Sequence, residues 1–575
     1  MRRAALALFA AQFAIVDLVL RRPSARDFVP SALVSIAVWL LVASAARRRA
    51  ARVSIALLAA LLLVAPIVFY RHYHVFLDDD AIGAARHMWG DVRPTVVAIL
   101  PAVLAATALA AIAEYALLAR TEPAPRRVRF GALAIGLLAI PFLPALRNAS
   151  QDLAAAGSLR ALFRTPSARA AADVQVPVLR SRRARLPNVL FILDESVRAS
   201  DYDAATAPET TALTAGRVDL HEMRSVASYT SIAVASLLSS LSPTTPEDVL
   251  HDAPYLFDFL RAIRRDDQRV RVAYLSSQTD SLFEHRDVRA STDVYVTVQD
   301  LVHRPVGDIE DVIDLGVDGL LADRVERELP KLEKPFFAMV HLSGTHAPYF
   351  VDDARAPFRP YTHAVTWAGL GELHAAYRDA IVAQDAAVAR VVRAFFAATE
   401  GEPALVVFTS DHGEAFGEHA AIHHGQSLYD EQIHVPAWVL PRGGALDDLQ
   451  TQALVAHAGD FVTHLDLVPT VLDAYGVLDD FAMTPFASRF GGRSLLRTGE
   501  PRTIALTNCT DMFPCPVRTW GLTRGDRTLT AQSWDDGWRC VDLRSEQLTN
   551  DASCDALRES SRAVFPTLPN GRANR

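Results

Sequence analysis

The sequence predicts an α/β fold that is preceded by five transmembrane helices and followed by a small C-terminal β subdomain. Three observations lead to this prediction. Of the 575 residues, 50% are hydrophobic and the mean hydropathy is +0.14, which is high for a soluble protein. The apolar excess lies in the first quarter of the chain, whereas strand-like and helix-like runs alternate after residue 187. From about residue 498 the pattern changes to short strands.

Five apolar runs in the N-terminal region are each close to the roughly 20 residues that a helix needs to cross a bilayer. They cover residues 4–20, 28–46, 53–70, 95–119 and 130–146. We interpret the first run as an uncleaved anchor rather than a signal peptide, because four further runs follow it. With the N-terminus in the cytoplasm, arginines are more frequent in the inner segments than in the outer loops, as the positive-inside rule requires. We therefore expect a multi-pass inner-membrane protein whose chain after residue 146 is periplasmic or extracellular.

These patterns divide the chain into four predicted segments. A transmembrane domain (1–146) is followed by a linker (147–186), an α/β domain (187–497), and a C-terminal subdomain and tail (498–575). The net charge is −8. Because the sequence contains no basic stripe and no nucleotide-binding glycine loop, we expect no nucleic-acid partner.

Cysteine placement agrees with an oxidising compartment. All four cysteines lie in the last segment, at Cys509, Cys515, Cys540 and Cys554. Proximity favours the disulfides Cys509–Cys515 and Cys540–Cys554. A zinc site is the alternative, although the short Cys-x-x-Cys spacing is missing.

Two predicted buried strands end in residues that suit metal binding. The apolar run 404–408 leads into Asp411 and His412, and the run 189–193 ends at Asp194 and Glu195. Because functional residues gather at the carboxyl ends of parallel strands, we expect these side chains at one edge of the sheet. Oxygen and imidazole ligands suit Zn or Mn, with Mg or Ca also possible. An isolated Asp-His pair would more simply be a solvated turn.

Thr230 is the candidate nucleophile. It opens an apolar stretch with helical character, and a hydroxyl at a helix N-terminus lies in the positive field of free N–H groups. Taken alone, this threonine would more simply be an N-cap. The two metal-ligand strands favour the catalytic interpretation.

Together these motifs resemble the sulfatase branch of the alkaline phosphatase superfamily, over about residues 187–497. The resemblance also rests on the segments 341–348, 464–470 and 492–495. It implies an α/β sandwich in which four residues surround a divalent metal: Glu195, Thr230, Asp411 and His412. It further implies that Asp194 is a possible fifth ligand, and that His346 and His424 contact the transferred group or assist the leaving oxygen.

One departure from formylglycine-dependent sulfatases narrows the expected chemistry. Those enzymes carry a Cys-x-Pro-x-Arg motif, whereas this chain has Thr230, Ile232 and Val234 at the corresponding positions. Threonine cannot become formylglycine, but it resembles the nucleophile of phosphoethanolamine transferases and lipoteichoic acid synthases. The resemblance thus implies a membrane-anchored transferase that moves a phosphoethanolamine or phosphoglycerol group to an envelope lipid or glycan through a covalent threonine intermediate.

Two alternatives stay open at the level of sequence. The nearer one is a membrane-anchored hydrolase of phosphate or sulfate esters, which the C-terminal strand pattern favours because it resembles the subdomain of soluble sulfatases. The farther one is a non-catalytic envelope protein on the same fold. The intact set of candidate ligands argues against this second alternative.

Overall fold

The computed structural model describes residues 2–21, 25–73, 89–139, 152, 175–246, 249–250, 252–283, 288–508, 518–532, 535, 537–569 and 573–574. The chain divides into two compact units, one within Met1–Pro166 and one within Ser167–Phe513 and Val517–Arg575. The described residues of the first unit are almost entirely helical, and those of the second unit are mixed α/β.

The first unit has helices at all five predicted positions. They are α1 (Arg2–Arg21), α2 (Ala25–Ala45), α3 (Arg49–Tyr73), α4 (Trp89–Ala119) and α5 (Arg126–Ala139). Segments of α2, α3 and α4 are long and apolar enough to cross a membrane, namely Phe28–Ala45, Arg49–Phe69 and Ile99–Ala119. Membrane crossing by α1 and α5 stays a prediction.

The strands of the second unit are β1 (Leu179–Arg180), β2 (Asn188–Asp194), β3 (Val218–Asp219), β4 (Met223–Arg224), β5 (Ile263–Arg265), β6 (Gln268–Arg269), β7 (Arg271–Ser276), β8 (Val294–Val296), β9 (Phe336–His341), β10 (Ala404–Ser410), β11 (Ala415–Phe416), β12 (Ile422–His423), β13 (Ala437–Arg442), β14 (Val462–Thr463), β15 (Ile504–Thr507), β16 (Thr519–Arg524), β17 (Arg527–Gln532), β18 (Arg539–Asp542) and β19 (Gln547–Leu548). Its helices are α6 (Pro208–Leu213), α7 (Thr230–Ser239), α8 (Leu256–Ala262), α9 (Val298–Val302), α10 (Val317–Glu328), α11 (Leu370–Ala398), α12 (Asp430–Ile433), α13 (Asp448–Ala456), α14 (Leu467–Ala474), α15 (Thr484–Ala487) and α16 (Ala552–Val564). Strand β1 lies within the segment that the sequence assigned to a linker, and it pairs with β5.

A seven-stranded sheet with the order β3-β13-β10-β2-β9-β7-β8 forms the centre of the second unit. Its pairs are parallel from β10 to β8, whereas β13 runs antiparallel to both neighbours. Every residue of β2, β9 and β10 is buried, which explains their continuous apolar sequences. Helices α10 and α11 pack on one face, and Phe257 of α8 contacts Tyr274 and Phe337 on the other.

A separate antiparallel sheet, in the order β15-β16-β17-β18-β19, follows in the C-terminal part of the chain. Helix α16 packs on it, and a disulfide joins Cys540 of β18 to Cys554 of α16. This pairing confirms one of the two predicted disulfides. The predicted partners Cys509 and Cys515 lie outside the described residues.

Candidate metal and nucleophile site

The neighbouring strands β2 and β10 bring the predicted ligands together. Asp194 lies opposite Ser410 in the register of this parallel pair, so Glu195 and Asp411 both follow the last paired position. The backbone N–H of Asp411 donates to the carbonyl oxygen of Asp194 at 3.0 Å and continues the ladder by one residue. The continuous apolar sequence of each strand therefore delivers its terminal polar residues to the same edge.

Glu195, Asp411 and His412 form a group that can hold a metal ion. One ligand atom from each residue lies within 4.8 Å of the others, and all three side chains are buried. Asp411 Oδ1 accepts hydrogen bonds from the backbone N–H groups of Ser196 (2.9 Å) and His412 (2.7 Å). Asp411 Oδ2 is buried and lies 3.3 Å from His412 Nε2, but it accepts no hydrogen bond from the described residues. Because a buried carboxylate oxygen without a hydrogen bond is costly, this donor set fits a divalent cation.

The hydroxyl of Thr230 lies at this group. Its Oγ donates to Glu195 Oε1 at 2.9 Å and lies 2.9 Å from His412 Nε2. Thr230 is the first residue of α7, and Tyr229 occupies the N-cap position before it. The interpretation of Thr230 as an ordinary N-cap is therefore wrong, because its side chain contacts two candidate ligands instead.

The electrostatics of the group also favour a cation. Burial together with the charge of Glu195 raises the pKa of Asp411 to about 6. Burial opposes the charged form of His412, but the charge of Asp411 and the hydrogen bond to Glu195 raise its pKa to about 9. His412 Nδ1 lies 3.0 Å from the carbonyl oxygen of Gly413, which leaves Nε2 for Thr230 and Glu195. A cation bound here would take over the charge-balancing role of the imidazolium proton.

Asp194 lies apart from this arrangement, since it does not belong to the group of three ligands. Burial and the charges of Asp318, Asp385 and Asp411 raise its pKa well above the usual range, which favours a neutral acid. Its Oδ1 is buried without a hydrogen-bond partner in the described part of the chain. A role for Asp194 as a fifth ligand stays a prediction.

The predicted catalytic histidines lie beside the group. The rings of His412 and His424 are 4.3 Å apart between centroids, and those of His424 and His346 are 5.6 Å apart. Burial and the charge of His412 lower the pKa of His424, which favours the neutral imidazole. All seven predicted site residues thus lie at one edge of the sheet, and six of them, all except Asp194, surround the ligand group; their catalytic roles stay predictions.

Glu414 orients His424, although the sequence alone assigned it no role. Its carboxylate lies 3.0 Å from His424 Nδ1 and 2.9 Å from His423 Nδ1, and it accepts a hydrogen bond from Tyr349 at 3.0 Å. Burial opposes ionisation, but the charge of His424 and the hydrogen bonds from both histidines lower the pKa of Glu414. Because an ionised carboxylate accepts the Nδ1 proton, His424 retains Nε2 for proton transfer.

Gln278 is a second residue that the sequence argument missed. Its amide Nε2 donates to Glu195 Oε2 at 2.7 Å, so both carboxylate oxygens of Glu195 have neighbours in the site. Gln278 follows the end of β7, another parallel strand of the same sheet. The rule that located Glu195 and Asp411 at strand ends would also have found Gln278 if β7 had been placed in the sheet.

A close backbone approach explains the glycine after His412. A Cβ atom on Gly413 would lie 2.5 Å from the carbonyl oxygen of Glu431 and 3.0 Å from Arg198 Cβ. The backbone N–H of Gly413 donates to the carbonyl oxygen of Gln432 at 2.9 Å. Any side chain here would push the loop that carries Asp411 and His412 away from its support.

The C-terminal sheet supports the loops on both sides of the site. Asn508, which follows β15, accepts a hydrogen bond from the backbone N–H of Ser228 at 2.8 Å and donates to the carbonyl oxygen of Ser427 at 3.2 Å. Ser228 precedes Thr230 by two residues, and Ser427 follows His424 by three. One side chain therefore connects the loop before Thr230 to the loop after His424.

Comparison with known proteins decides the family. The model of the family described as Sulfatase matches residues 187–477, about half of the chain. The chain belongs to the sulfatase family. Among curated proteins, this sulfatase-family member is 28% identical over 120 residues to the "Uncharacterized sulfatase YidJ" of Escherichia coli (strain K12). That alignment covers 21% of each protein, so the chain spans about a fifth of the length of this relative.

One solved structure extends the comparison into the first unit. The integral membrane protein lipooligosaccharide phosphoethanolamine transferase A (EptA) from Neisseria meningitidis superposes with a TM-score of 0.56 at 15% identity, over 85% of this chain and 99% of that chain. The phosphonate monoester hydrolase SpPMH from Silicibacter pomeroyi gives a TM-score of 0.48 at 17% identity, over 66% and 94%. The similarity to EptA shows a shared fold. By its match to the family model, the protein is an enzyme of the sulfatase family.

Proposed function

We propose that this sulfatase-family enzyme is a metal-dependent, membrane-anchored phosphoryl transferase that uses Thr230 as its nucleophile. The observation that carries the proposal is the position of Thr230 Oγ, 2.9 Å from both Glu195 Oε1 and His412 Nε2. A threonine at this position excludes the formylglycine chemistry of other family members. The proposed transferred group is phosphoethanolamine or phosphoglycerol, and the proposed acceptor is an envelope lipid or glycan.

Glu195, Asp411, His412 and Thr230 would hold a divalent cation, for which we propose zinc or manganese. When bound, the cation supplies positive charge that favours the ionised Thr230 hydroxyl and offsets charge on the phosphoryl oxygens. Gln278 holds the second oxygen of Glu195 and so orients the carboxylate towards Thr230. The cation would thus contribute only electrostatically, and Thr230 Oγ would form the bond to phosphorus.

The reaction proceeds in two displacements. Thr230 Oγ gives its proton to the imidazole of His346 or His424 and forms a bond to phosphorus. As the bond to the leaving alcohol of the donor breaks, the same histidine passes that proton to the alcohol oxygen. The acceptor hydroxyl then gives its proton to this histidine and displaces Thr230 Oγ, which takes the proton from the histidine and is again a free hydroxyl. The Glu414 hydrogen bond to His424 Nδ1 supports His424 Nε2 as the proton-transfer atom.

Two features support an external membrane location. Among the described residues, three helices are long and apolar enough to cross a membrane, and an enzyme anchored by them would favour a lipid donor over a freely soluble ester. The disulfide Cys540–Cys554 fits an oxidising compartment such as the periplasm. We therefore propose that the second unit acts on the periplasmic or extracellular side.

Trapping the covalent intermediate tests the proposal. The full-length protein in detergent, supplied with zinc or manganese, is incubated with phosphatidylethanolamine or phosphatidylglycerol and analysed by peptide mass spectrometry. We expect the added group on Thr230. Ser231→Ala is the matched control, because it removes the next hydroxyl in the chain and should leave the adduct unchanged. An adduct on Ser228 or Ser231 would contradict the assignment, as would an active Thr230→Ala enzyme without any adduct.

A membrane-anchored ester hydrolase is the second candidate. The separate C-terminal antiparallel sheet favours it, because the strand pattern in this region resembles soluble sulfatases. Turnover of an aryl phosphodiester, an aryl phosphomonoester and an aryl sulfate with water alone separates the two functions. A transferase should need an alcohol acceptor for rapid turnover, whereas a hydrolase should not.

A further inference from the structure

A cavity of about 460 Å³ lies within the first unit, between α2 and α5. Its lining combines three guanidinium groups with an apolar wall. The charged residues are Arg47, in the loop after α2, and Arg126 and Arg129 in the first turns of α5. Phe130 and Leu133 of α5 contribute to the apolar part.

The three arginines have no acidic partner within ion-pair distance in the described residues of this unit. By contrast, Arg2 in the same unit pairs with Glu122 at 2.6 Å. Arg129 Nε is buried and makes no hydrogen bond to any described residue. The cavity therefore concentrates positive charge that the described part of the protein does not neutralise.

The position of Arg126 and Arg129 at a helix N-terminus makes their uncompensated positive charge more unfavourable. The first turn of α5 contains no acidic residue, although the macrodipole makes that turn favourable for anions and unfavourable for cations. An anion in the cavity would offset the repulsion among the guanidinium groups. Phosphate is the natural candidate, because guanidinium groups bind phosphate oxygens in a bidentate manner.

The apolar wall distinguishes a lipid from a free anion. Phe130 and Leu133 are 59% and 46% exposed beside the arginines, and Leu137, one helical turn further along α5, is 58% exposed. A small inorganic anion would leave this apolar strip uncovered, whereas an acyl chain would cover it. The positive-inside prediction also assigns this end of the bundle to the cytoplasmic leaflet, where anionic lipids bind basic pockets between helices.

We propose that this cavity binds the phosphodiester head group of an anionic phospholipid, with Arg47, Arg126 and Arg129 around the phosphate and an acyl chain along Phe130 and Leu133. This site is distinct from the nucleophile site and does not depend on the proposed transferase activity. It is a structural lipid site on the helical unit.

Native mass spectrometry of the full-length protein in detergent tests the proposal. Phosphatidylglycerol and the zwitterionic phosphatidylcholine are added in equal amounts to three proteins: wild type, Arg126→Gln/Arg129→Gln, and the matched control Arg48→Gln/Arg127→Gln. The control loses the same charge from neighbouring positions that do not line the cavity. We expect wild type and control to prefer phosphatidylglycerol, and the cavity variant to lose that preference by about tenfold or more.

Each other outcome would overturn the assignment. Equal retention of phosphatidylglycerol by cavity variant and control would exclude the cavity, and equal binding of both lipids by wild type would exclude charge recognition. Displacement of the lipid by excess inorganic phosphate would identify a small-anion site instead. If the double variant does not fold, as judged by circular dichroism, the loop variants Arg47→Gln and Arg48→Gln repeat the comparison, with loss of preference expected only for Arg47→Gln.

Discussion

Two charged clusters beside the same edge of the sheet differ in burial and in the hydrogen bonds that their aspartates accept. The ligand cluster consists of Glu195, Thr230, Asp411 and His412. The arginine cluster consists of Arg198, Asp201, His374 and Glu418. In the arginine cluster, Arg198 donates to Glu418 Oε1 at 2.8 Å and also pairs with Asp201, while His374 Nε2 lies 2.8 Å from Asp201 Oδ2. In the ligand cluster, which is more deeply buried, Asp411 Oδ2 lies 3.3 Å from His412 Nε2 but accepts no hydrogen bond from the described residues.

The two aspartates show the consequence most clearly. Burial opposes ionisation in both, but a hydrogen bond to His374 and the charge of Arg198 lower the pKa of Asp201. At Asp411 the charge of Glu195 adds to the effect of burial, and the pKa rises to about 6. In a cluster that balances its own charges, loss of one partner is destabilising, whereas a cluster in which a buried carboxylate oxygen accepts no hydrogen bond fits an external cation. The residue types alone would not have distinguished the two clusters, because each contains acidic residues and a histidine.

The largest expected effect comes from the hydroxyl of the ligand cluster. Thr230→Ala should lower turnover of a phosphodiester substrate by more than about 10³-fold, because it removes the attacking atom. Metal content, measured by elemental mass spectrometry, should stay close to that of wild type, since three other ligands remain. Thr230→Ser should retain part of the activity. Turnover of Thr230→Ala within tenfold of wild type would remove this residue from the mechanism.

Removing the negative charge of Asp411 should have the next largest effect. Asp411→Asn should lower the bound metal and reduce activity by about 10²-fold at limiting metal, with partial recovery at high metal concentration. Chelation of wild type should abolish turnover, and added zinc or manganese should restore it. Full activity of the metal-free wild-type enzyme would contradict this expectation.

The arginine cluster should respond in the opposite way. Asp201→Asn leaves the buried Arg198 guanidinium with less compensation, so we expect a loss of about 3–5 kcal/mol in the free energy of unfolding. Bound metal and activity at low temperature should change by less than about fivefold, because Asp201 belongs to no ligand group. Thermal unfolding and metal content, measured on the same sample, check both parts. If the Asp201→Asn protein lost metal at temperatures at which the protein is folded, the arginine cluster would also contribute to metal binding, and the two clusters would not differ in function.

The smallest but most specific effect should be a pH dependence of the stability difference between wild type and Asp201→Asn. The pKa of Asp201 is lower in the folded protein than in the unfolded chain, so its stabilising contribution is fully present above the unfolded value of about 3.9. That contribution is lost as the pH falls through the folded pKa. The difference in melting temperature between wild type and Asp201→Asn should therefore be constant from pH 7 to 5 and shrink below about pH 4. A difference that stays constant to pH 3 would assign the stabilisation to packing rather than charge.

Much of the site follows from local sequence because strand ends are a local property. The apolar runs of β2 and β10 end at Asp194 and Ser410, so their position in the sheet places Glu195 and Asp411 side by side. Thr230 was recognised in the same way, as a hydroxyl at the start of an apolar helix. The helices of the first unit also follow from the length of their apolar runs, although the number that cross the membrane does not.

Contacts between distant loops could not be predicted in this manner. Gln278 reaches Glu195 across 83 residues, and the arginine cluster joins Arg198 to Glu418 across 220. No periodicity connects such positions, since the contact depends on how the loops after different strands fold over the edge of the sheet. The separation of Asp194 from the ligand group likewise depends on side-chain direction at the end of β2, which sequence pattern does not report.

The hydrogen bond between Ser228 and Asn508 has a consequence for the synthesis of the protein. These residues are 280 positions apart, so the support for the loop before Thr230 emerges from the ribosome long after Thr230 itself. The central sheet strands β2, β9 and β10 are complete by residue 410, but the final position of this loop must wait for β15 and Asn508. A nascent chain that has been synthesised to His424 thus contains every candidate ligand. It still lacks Asn508, so the site is not yet complete. Enzymatic activity should begin only when the C-terminal sheet has folded, which delays the chemistry until translation of the chain is nearly finished.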